Sequence, residues 1–486
     1  MQAILLIALL PARIPIARIS RWTVCIIAIC ILVNKVSADG YIGPLLYKEY
    51  GSHIGIAYCQ RDAIGAIEIP ATIVGKPVTE IENSAFSSCI SLSSVAIPPS
   101  MISIGHSAFS QCINLTEIAI PMSVTGIQPF AFYGCTRMTT ITVESANNFF
   151  SSADGVLFNK NQTTLISCPA GKSGNYTIPS SVTSIGSYAF TGCAKLTEVA
   201  IQGGVTYIDT TAFTTCPSLT SIMVDPTNSV YSSSEGVLFN KNQASLIRFP
   251  EGKSGNYAIP NSVTSLEPSA FRDSSLTNVT IPTSISGIPS YTFLNCTNLE
   301  TVVIPPGVTS IGAYAFYGCS SMTSAYFYGN APSIATSFFD GTPSVFTIYY
   351  FNDRGFTSPK WWGYNAINMG PLTPVAKWLI DKGIQYNADL NSDENSDGVN
   401  LLMAYALNLD PKQNLSGRLP KPEYTANQMK LRFYAGSEGV AYSAQSSTDL
   451  QSWSDIGLSA PDVSGFRTAT VSSSGPSRFM RLVISQ

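Results

Sequence analysis

Residues 81–345 are a tandem repeat. A unit of the form L-T-x-V-x-I-P-x-x-V-T-x-I-G-x-x-A-F-x-x-C recurs with its phenylalanine at Phe86, Phe109, Phe132, Phe190, Phe213, Phe271, Phe293 and Phe316. The intervals are 23, 23, 58, 23, 58, 22 and 23 residues, and a worn ninth copy carries Phe338 and Phe339. Each 58-residue gap is one 23-residue unit plus a 35-residue insertion. The insertions, GVLFNKNQTTLI from Gly155 and GVLFNKNQASLI from Gly236, are near copies placed 81 residues apart, so a block of that size was duplicated. Within a unit, residues such as Leu196, Val199 and Ile201 alternate with polar neighbours, which predicts a short strand with one buried face. A single such turn cannot bury its apolar face, whereas stacked turns share a continuous core. The chain is thereby constrained to a mainly β solenoid whose successive strands pair in parallel. Each insertion reads as two strands around a polar Asn-Lys-Asn-Gln turn, a hairpin added to the stack.

The cysteines follow the same period. Cys89, Cys112 and Cys135 lie 23 apart, as do Cys193 and Cys216, and Cys296 and Cys319. They mark the repeat and predict a column of buried free thiols, because neighbouring side chains that point the same way do not meet disulfide geometry. The copy with Phe271 has no cysteine in this column and keeps the pattern.

The pattern I-P-x-x-V-T-S-I-G-x-x-A-F-x-G-C, with the opening segment 67–86 (IEIPATIVGKPVTEIENSAF), resembles the BspA-type, or Treponema-type, leucine-rich repeat over about residues 41–345. That resemblance implies a leucine-rich-repeat solenoid with a parallel β ribbon. It also implies an exported surface protein, some members being adhesins that bind matrix proteins, and it carries no catalytic residues.

Charge and export narrow the function further. Only 12% of residues are charged and the net charge is −3, which leaves no basic field for nucleic acid or anionic lipid. His53 and His106 are the only histidines, and neither sits in a catalytic or metal motif. Arg13, Arg18 and Arg21 precede an 11-residue apolar run, 23–33, and Val36-Ser37-Ala38 ends in small residues. This predicts a signal peptide over 1–38 and no membrane span after its removal.

The remaining boundaries follow composition. Residues 39–80 read as an N-terminal cap, 346–371 as a C-terminal cap or linker in which Trp361 and Trp362 pack, and 372–411 as a short helical module. Residues 412–486 alternate as the strands of a small β-sandwich. In the helical module, Asp393, Asn395 and Asp397 alternate before Gly398 with the spacing of a calcium loop, and Asp389 and Asn391 extend the series. Ala404 stands at the twelfth position, where a bidentate acid is expected. Calcium binding and a metal-free acidic loop are both open, and no other cofactor is expected.

The repeat also places the outward residues of the ribbon. They include Ser94, Glu117, Thr140, Glu198, Met223, Thr280, Val303 and Tyr326, mostly small until the apolar C-terminal end. The expected function is non-catalytic binding of an extracellular protein or matrix ligand by a secreted or cell-surface protein. Met223, Thr280, Val303 and Tyr326 are its expected contact residues. The alternative is a carbohydrate-binding or structural module of the cell envelope.

Overall fold

The computed structural model describes residues 39–351, 355–382, 384, 388–393, 395–425, 427–472 and 478–485. The expected signal peptide, and Gly383 after the first helix, lie outside them. The chain forms a β-solenoid of stacked parallel coils. It divides into two compact units, one holding residues up to 173 with 181–194 and 207–212, the other holding 174–180, 195–206 and everything from 213.

In the first unit three antiparallel strands, Gly40–Ile42, Leu45–Tyr50 and His53–Cys59, lead into parallel pairing with Lys76–Ile81, Ser103–Ile104 and Gly126–Ile127. The ribbon begins with Gly65–Glu68 beside Leu92–Ala96 and continues with Glu117–Ile120 beside Thr140–Val143. Glu117 faces Thr140, so the pairing register equals the 23-residue period. The second unit pairs Lys195–Ile201 with Ser221–Val224 and then runs six strands in parallel succession from Ser254–Ala258 to Tyr364–Asn368.

Two ladders hold neighbouring turns together. The Phe rings stack, with centroids 5.0 Å apart for Phe86 and Phe109, and 5.2, 4.8, 5.0 and 5.0 Å along Phe249, Phe271, Phe293, Phe316 and Phe339. The Phe86 N–H donates to the Ala108 carbonyl of the next turn at 2.7 Å, and Phe293 does the same to Ala315. The Phe carbonyl then receives a thiol: Cys112 Sγ lies 3.0 Å from Phe86 O, Cys135 3.1 Å from Phe109 O, and Cys319 3.2 Å from Phe293 O. All nine cysteines among the described residues are buried and free. Burial pushes the Cys135 thiol up to about 12, which suppresses its reactive thiolate. Ser274 takes the cysteine's place in the turn of Phe271 and sits 3.3 Å from Cys296 Sγ.

The insertions differ from the expected hairpins. Each contributes three strands: Phe150–Ala153, Val156–Asn159 and Thr164–Ser167 in the first, Tyr231–Ser234, Val237–Asn240 and Ser245–Arg248 in the second. The third strand runs parallel to the next short strand of the coil, Ser184–Ile185 or Ser265–Leu266, and so returns the chain in register. The turn between the first two strands caps the ribbon edge, with Gly155 O accepting from Ile141 N–H and Gly236 O from Ile222 N–H, both at 2.8 Å. Gly155 has φ +74°, and a Cβ there would meet Thr139 O at 2.9 Å. The ribbon is therefore interrupted at each insertion, where the repeat alone suggested one unbroken face.

A buried asparagine anchors each insertion. Asn147 donates to Pro121 O and Val124 O and accepts from the N–H groups of Phe149 and Phe150. Asn228 repeats all of this with Gln202, Val205, Val230 and Tyr231. All four hydrogen-bonding positions of the amide are satisfied.

Beyond the solenoid, α1 (Pro374–Asp381) is N-capped by Thr373 and α2 (Leu401–Ala406) by Asn400. Two three-stranded antiparallel sheets follow, their shared core including Leu431, Phe433, Ala444 and Ala469.

Two outcomes follow. Ellman titration of the exported chain should find its thiols unreactive when folded and nine reactive once unfolded; recovery of a single thiol would mean paired cysteines. Asn228→Ala leaves buried carbonyls and N–H groups without partners, and should cost about 2–4 kcal/mol in denaturant unfolding. Wild-type stability in that variant would remove the anchor role.

Candidate functional site

The ribbon residues expected to bind ligand are split by the structure. Met223 is 45% exposed and Thr280 is exposed. Val303 and Tyr326 are half-buried, packed with Tyr328, Phe351, Met369 and Leu372 around Ile380 of α1. Tyr328 Oη adds hydrogen bonds to Lys377 O at 3.4 Å and Asp381 Oδ1 at 3.2 Å. The apolar end of the ribbon, expected to be open, is thus covered in part by the chain's own helix. Burying those rings against Ile380 removes from water the same surface that made them attractive as anchors.

Trp361 and Trp362 also part company. Trp361 is buried, with its indole N–H on Gly355 O at 3.1 Å and its ring against Phe327, Phe338 and Phe356. Trp362 is 70% exposed, so cap packing holds for Trp361 alone.

The acidic loop closes on itself. Asp393 accepts from the N–H groups of Asp397 and Gly398, and Asp397 accepts from Val399 N–H and, at 2.5 Å, Leu415 N–H. Asn395 turns its amide nitrogen to the carbonyls of Pro411 and Gln413. Asp389 accepts from Asn391 within its own turn. Among the described residues no three acidic, histidine or cysteine groups converge as a metal would require. As arranged, these side chains form a hydrogen-bonded staple.

A second surface escaped the sequence reading. Two positions in the turns adopt left-handed backbone, the residue two before the Phe and the residue two after it, as in Ser107 (φ 54°) and Gln111 (φ 61°); in the turn of Phe213 only the second, Thr215, does so. The first position holds serine at Ser84, Ser107, Ser269 and Ser337, but an aromatic at Phe130, Tyr188, Tyr291 and Tyr314. Left-handed backbone disfavours a bulky side chain by about 1–2 kcal/mol. The fold accepts serine here, so the rings are not needed for packing. Tyr291 and Tyr317 are each 41% exposed. Tyr291 stacks on Tyr314 at 5.4 Å and 5°, and Tyr314 meets Tyr317 edge-on at 5.7 Å. In the first unit Phe130 contacts Tyr188 at 4.1 Å, Tyr133 at 5.9 Å and His106 at 5.5 Å. An aromatic two residues before the repeat Phe was the available signal.

Residues 54–172, 170–257 and 251–354 match the model of the BspA type leucine rich repeat region, in six copies. The chain belongs to that family. Its solved structural neighbours are bacterial leucine-rich-repeat proteins. One, from Eubacterium ventriosum, is 20% identical, covers 65% of this chain and 78% of its own, and has a TM-score of 0.40. A leucine rich cell surface protein from Faecalibacterium prausnitzii is 24% identical, covers 65% and 95%, and scores 0.41. The pneumococcal vaccine antigen PcpA is 16% identical, covers 66% and 95%, and scores 0.37. No curated protein matches the chain.

The acidic loop yields one measurement. Hydrogen bonds, first that from Leu415 N–H, hold the Asp397 carboxyl below its usual range. Its contribution is therefore present above about pH 4, the unfolded value, and lost as pH falls through the lowered one. Asp397→Ala should lower the melting temperature of the full chain equally with and without millimolar calcium. A calcium-dependent rise in the wild type that disappears in the variant would instead establish a metal site.

Proposed function

We propose that this chain is an exported, non-catalytic surface protein that binds an extracellular protein or matrix component through side chains its repeat leaves free. The observation that carries the reading is the tyrosine edge of the second unit. Tyr291 and Tyr317 are exposed and braced by the half-buried Tyr314 between them, and Tyr291 and Tyr314 stand at a position where the fold accepts serine. Tyrosines of this kind supply interface anchors at small entropic cost, and strained residues concentrate at functional positions. The ribbon, with Met223 and Thr280 exposed, supplies flanking small rungs. His53 pairs with Glu80 and stacks on Tyr50, and His106 lies against Phe130, so both have structural partners and no reactive neighbour supports a catalytic reading.

The exposed Tyr291 ring is also the kind of aromatic surface that sugars stack on, which keeps a carbohydrate ligand as the second reading.

The test uses the fold's own tolerance. The double variant Tyr291→Ser and Tyr314→Ser copies Ser269 and Ser337 and should fold with an unchanged melting temperature. Against a panel of immobilised matrix proteins it should bind about tenfold or more weaker than wild type, while Thr140→Ala binds normally. Equal binding by the double variant would move the site elsewhere. Loss confined to a glycan array would select the sugar reading.

A further inference from the structure

The duplicated block offers an internal comparison. Positions 81 residues apart correspond throughout the two insertions and the turns that flank them. In the second copy the joint between insertion and coil is filled by Arg248. Its Nη1 donates to Ser269 O at 2.8 Å, and its Nη2 to Phe213 O at 3.0 Å and Glu251 Oε1 at 2.6 Å. The two side chains are 3% and 2% exposed. Glu251 also accepts from the N–H groups of Thr215 and Cys216 at 2.8 and 2.6 Å. The guanidinium thus occupies a prepared place between two backbone carbonyls and a carboxylate.

The first copy keeps the backbone plan and changes the filling. Ser167 stands where the second copy has Arg248, and Ala170 where it has Glu251. Three aromatics arrive at the same time: Phe130 for Thr211, Tyr133 for Thr214 and Tyr188 for Ser269. A cleft of about 140 Å³ opens there, lined among others by Phe130, Phe132, Tyr133, Ile166, Ser167 and Tyr188. Phe132 and Tyr188 are the counterparts of the residues whose carbonyls hold Arg248.

We propose that this cleft is a socket for an arginine side chain presented by a partner protein. The second copy shows that a guanidinium fits the joint, because its own Arg248 sits in one. The volume resembles a cavity of ~150 Å³ that holds one small planar ring. The rings of Phe130, Tyr133 and Tyr188 replace the lost carboxylate with their quadrupoles, which attract a planar cation. Charge agrees: Asp209 Oδ2 accepts at 2.7 Å from Ser187, another lining residue. Burial pushes the Asp209 carboxyl up, but hydrogen bonds from Thr211, Ser187 and Tyr207 outweigh it and keep the group ionised beside the cleft. Arginine suits such a socket better than lysine, whose ammonium is compact, strongly hydrated and cannot stack. The socket is separate from the tyrosine edge of the second unit and stands or falls independently of it.

The test uses the full exported chain and two capped pentapeptides, Gly-Gly-Arg-Gly-Gly and its lysine twin, at low ionic strength. Saturation-transfer NMR should show a saturable signal on the arginine side chain, about fivefold or more above lysine. Ser167→Arg with Ala170→Glu installs the second copy's own pair in the first. That variant should fold, with a melting temperature no lower than wild type, and lose the arginine signal. Tyr188→Ser, which copies Ser269, should weaken the signal severalfold and provides the test if the double variant does not fold. The proposal is overturned if both peptides bind alike, if the folded double variant still binds arginine, or if Tyr188→Ser leaves the signal unchanged.

Discussion

Where turns follow one another directly, each is completed by the next one. The repeat Phe donates its N–H to a carbonyl of the following turn, stacks its ring on the following Phe, and has its own carbonyl met by the following cysteine. None of these contacts forms within an isolated 23-residue unit. Burial, backbone pairing and ring stacking therefore arrive together or not at all, which is the reason repeat length is held so narrowly. A change of length is tolerated only where a device restores the register. The insertions carry that device in their third strand and in the buried amides of Asn147 and Asn228.

The same constraint separates positions the fold needs from positions it leaves free. The Phe and Cys columns are buried and nearly invariant along the chain. Two residues before the Phe, in every turn but that of Phe213, the backbone turns left-handed. Serine and tyrosine both occur there, so the buried stack does not depend on which of them is present. The insertion joints show a similar freedom, one filled by an ion pair and the other walled by rings. Recognition chemistry placed at such sites can change without disturbing the core.

The C-terminal module changes the role of the ribbon. Ile380 of α1 sits among Tyr328 and Phe351, with Val303 and Tyr326 against the same cluster. An open solenoid end exposes apolar rungs, and covering them removes that surface from water. The acidic loop then ties α2 to the segment that follows it, through Leu415 N–H and the carbonyls of Pro411 and Gln413.

The solenoid, the parallel ribbon, the thiol column and the terminal strands were legible in the sequence, because each depends on a period or on alternation, and periodicity is a property of the chain itself. Phe86 to Phe316 announce their own stacking. The first strand of each insertion was not legible, since Phe150–Ala153 and Tyr231–Ser234 become strands only by pairing with the hairpin beside them. Tyr326 looked like an exposed anchor because alternation states which side of a strand a residue takes, and not what packs against that side. Trp361 and Trp362 read as one pair until the hairpin sent them to opposite faces. Local pattern determined what stacks; the arrival of distant residues such as Ile380 and Arg248 decided which surfaces stay open, because burial at a given point is set by whatever segment of the chain reaches it.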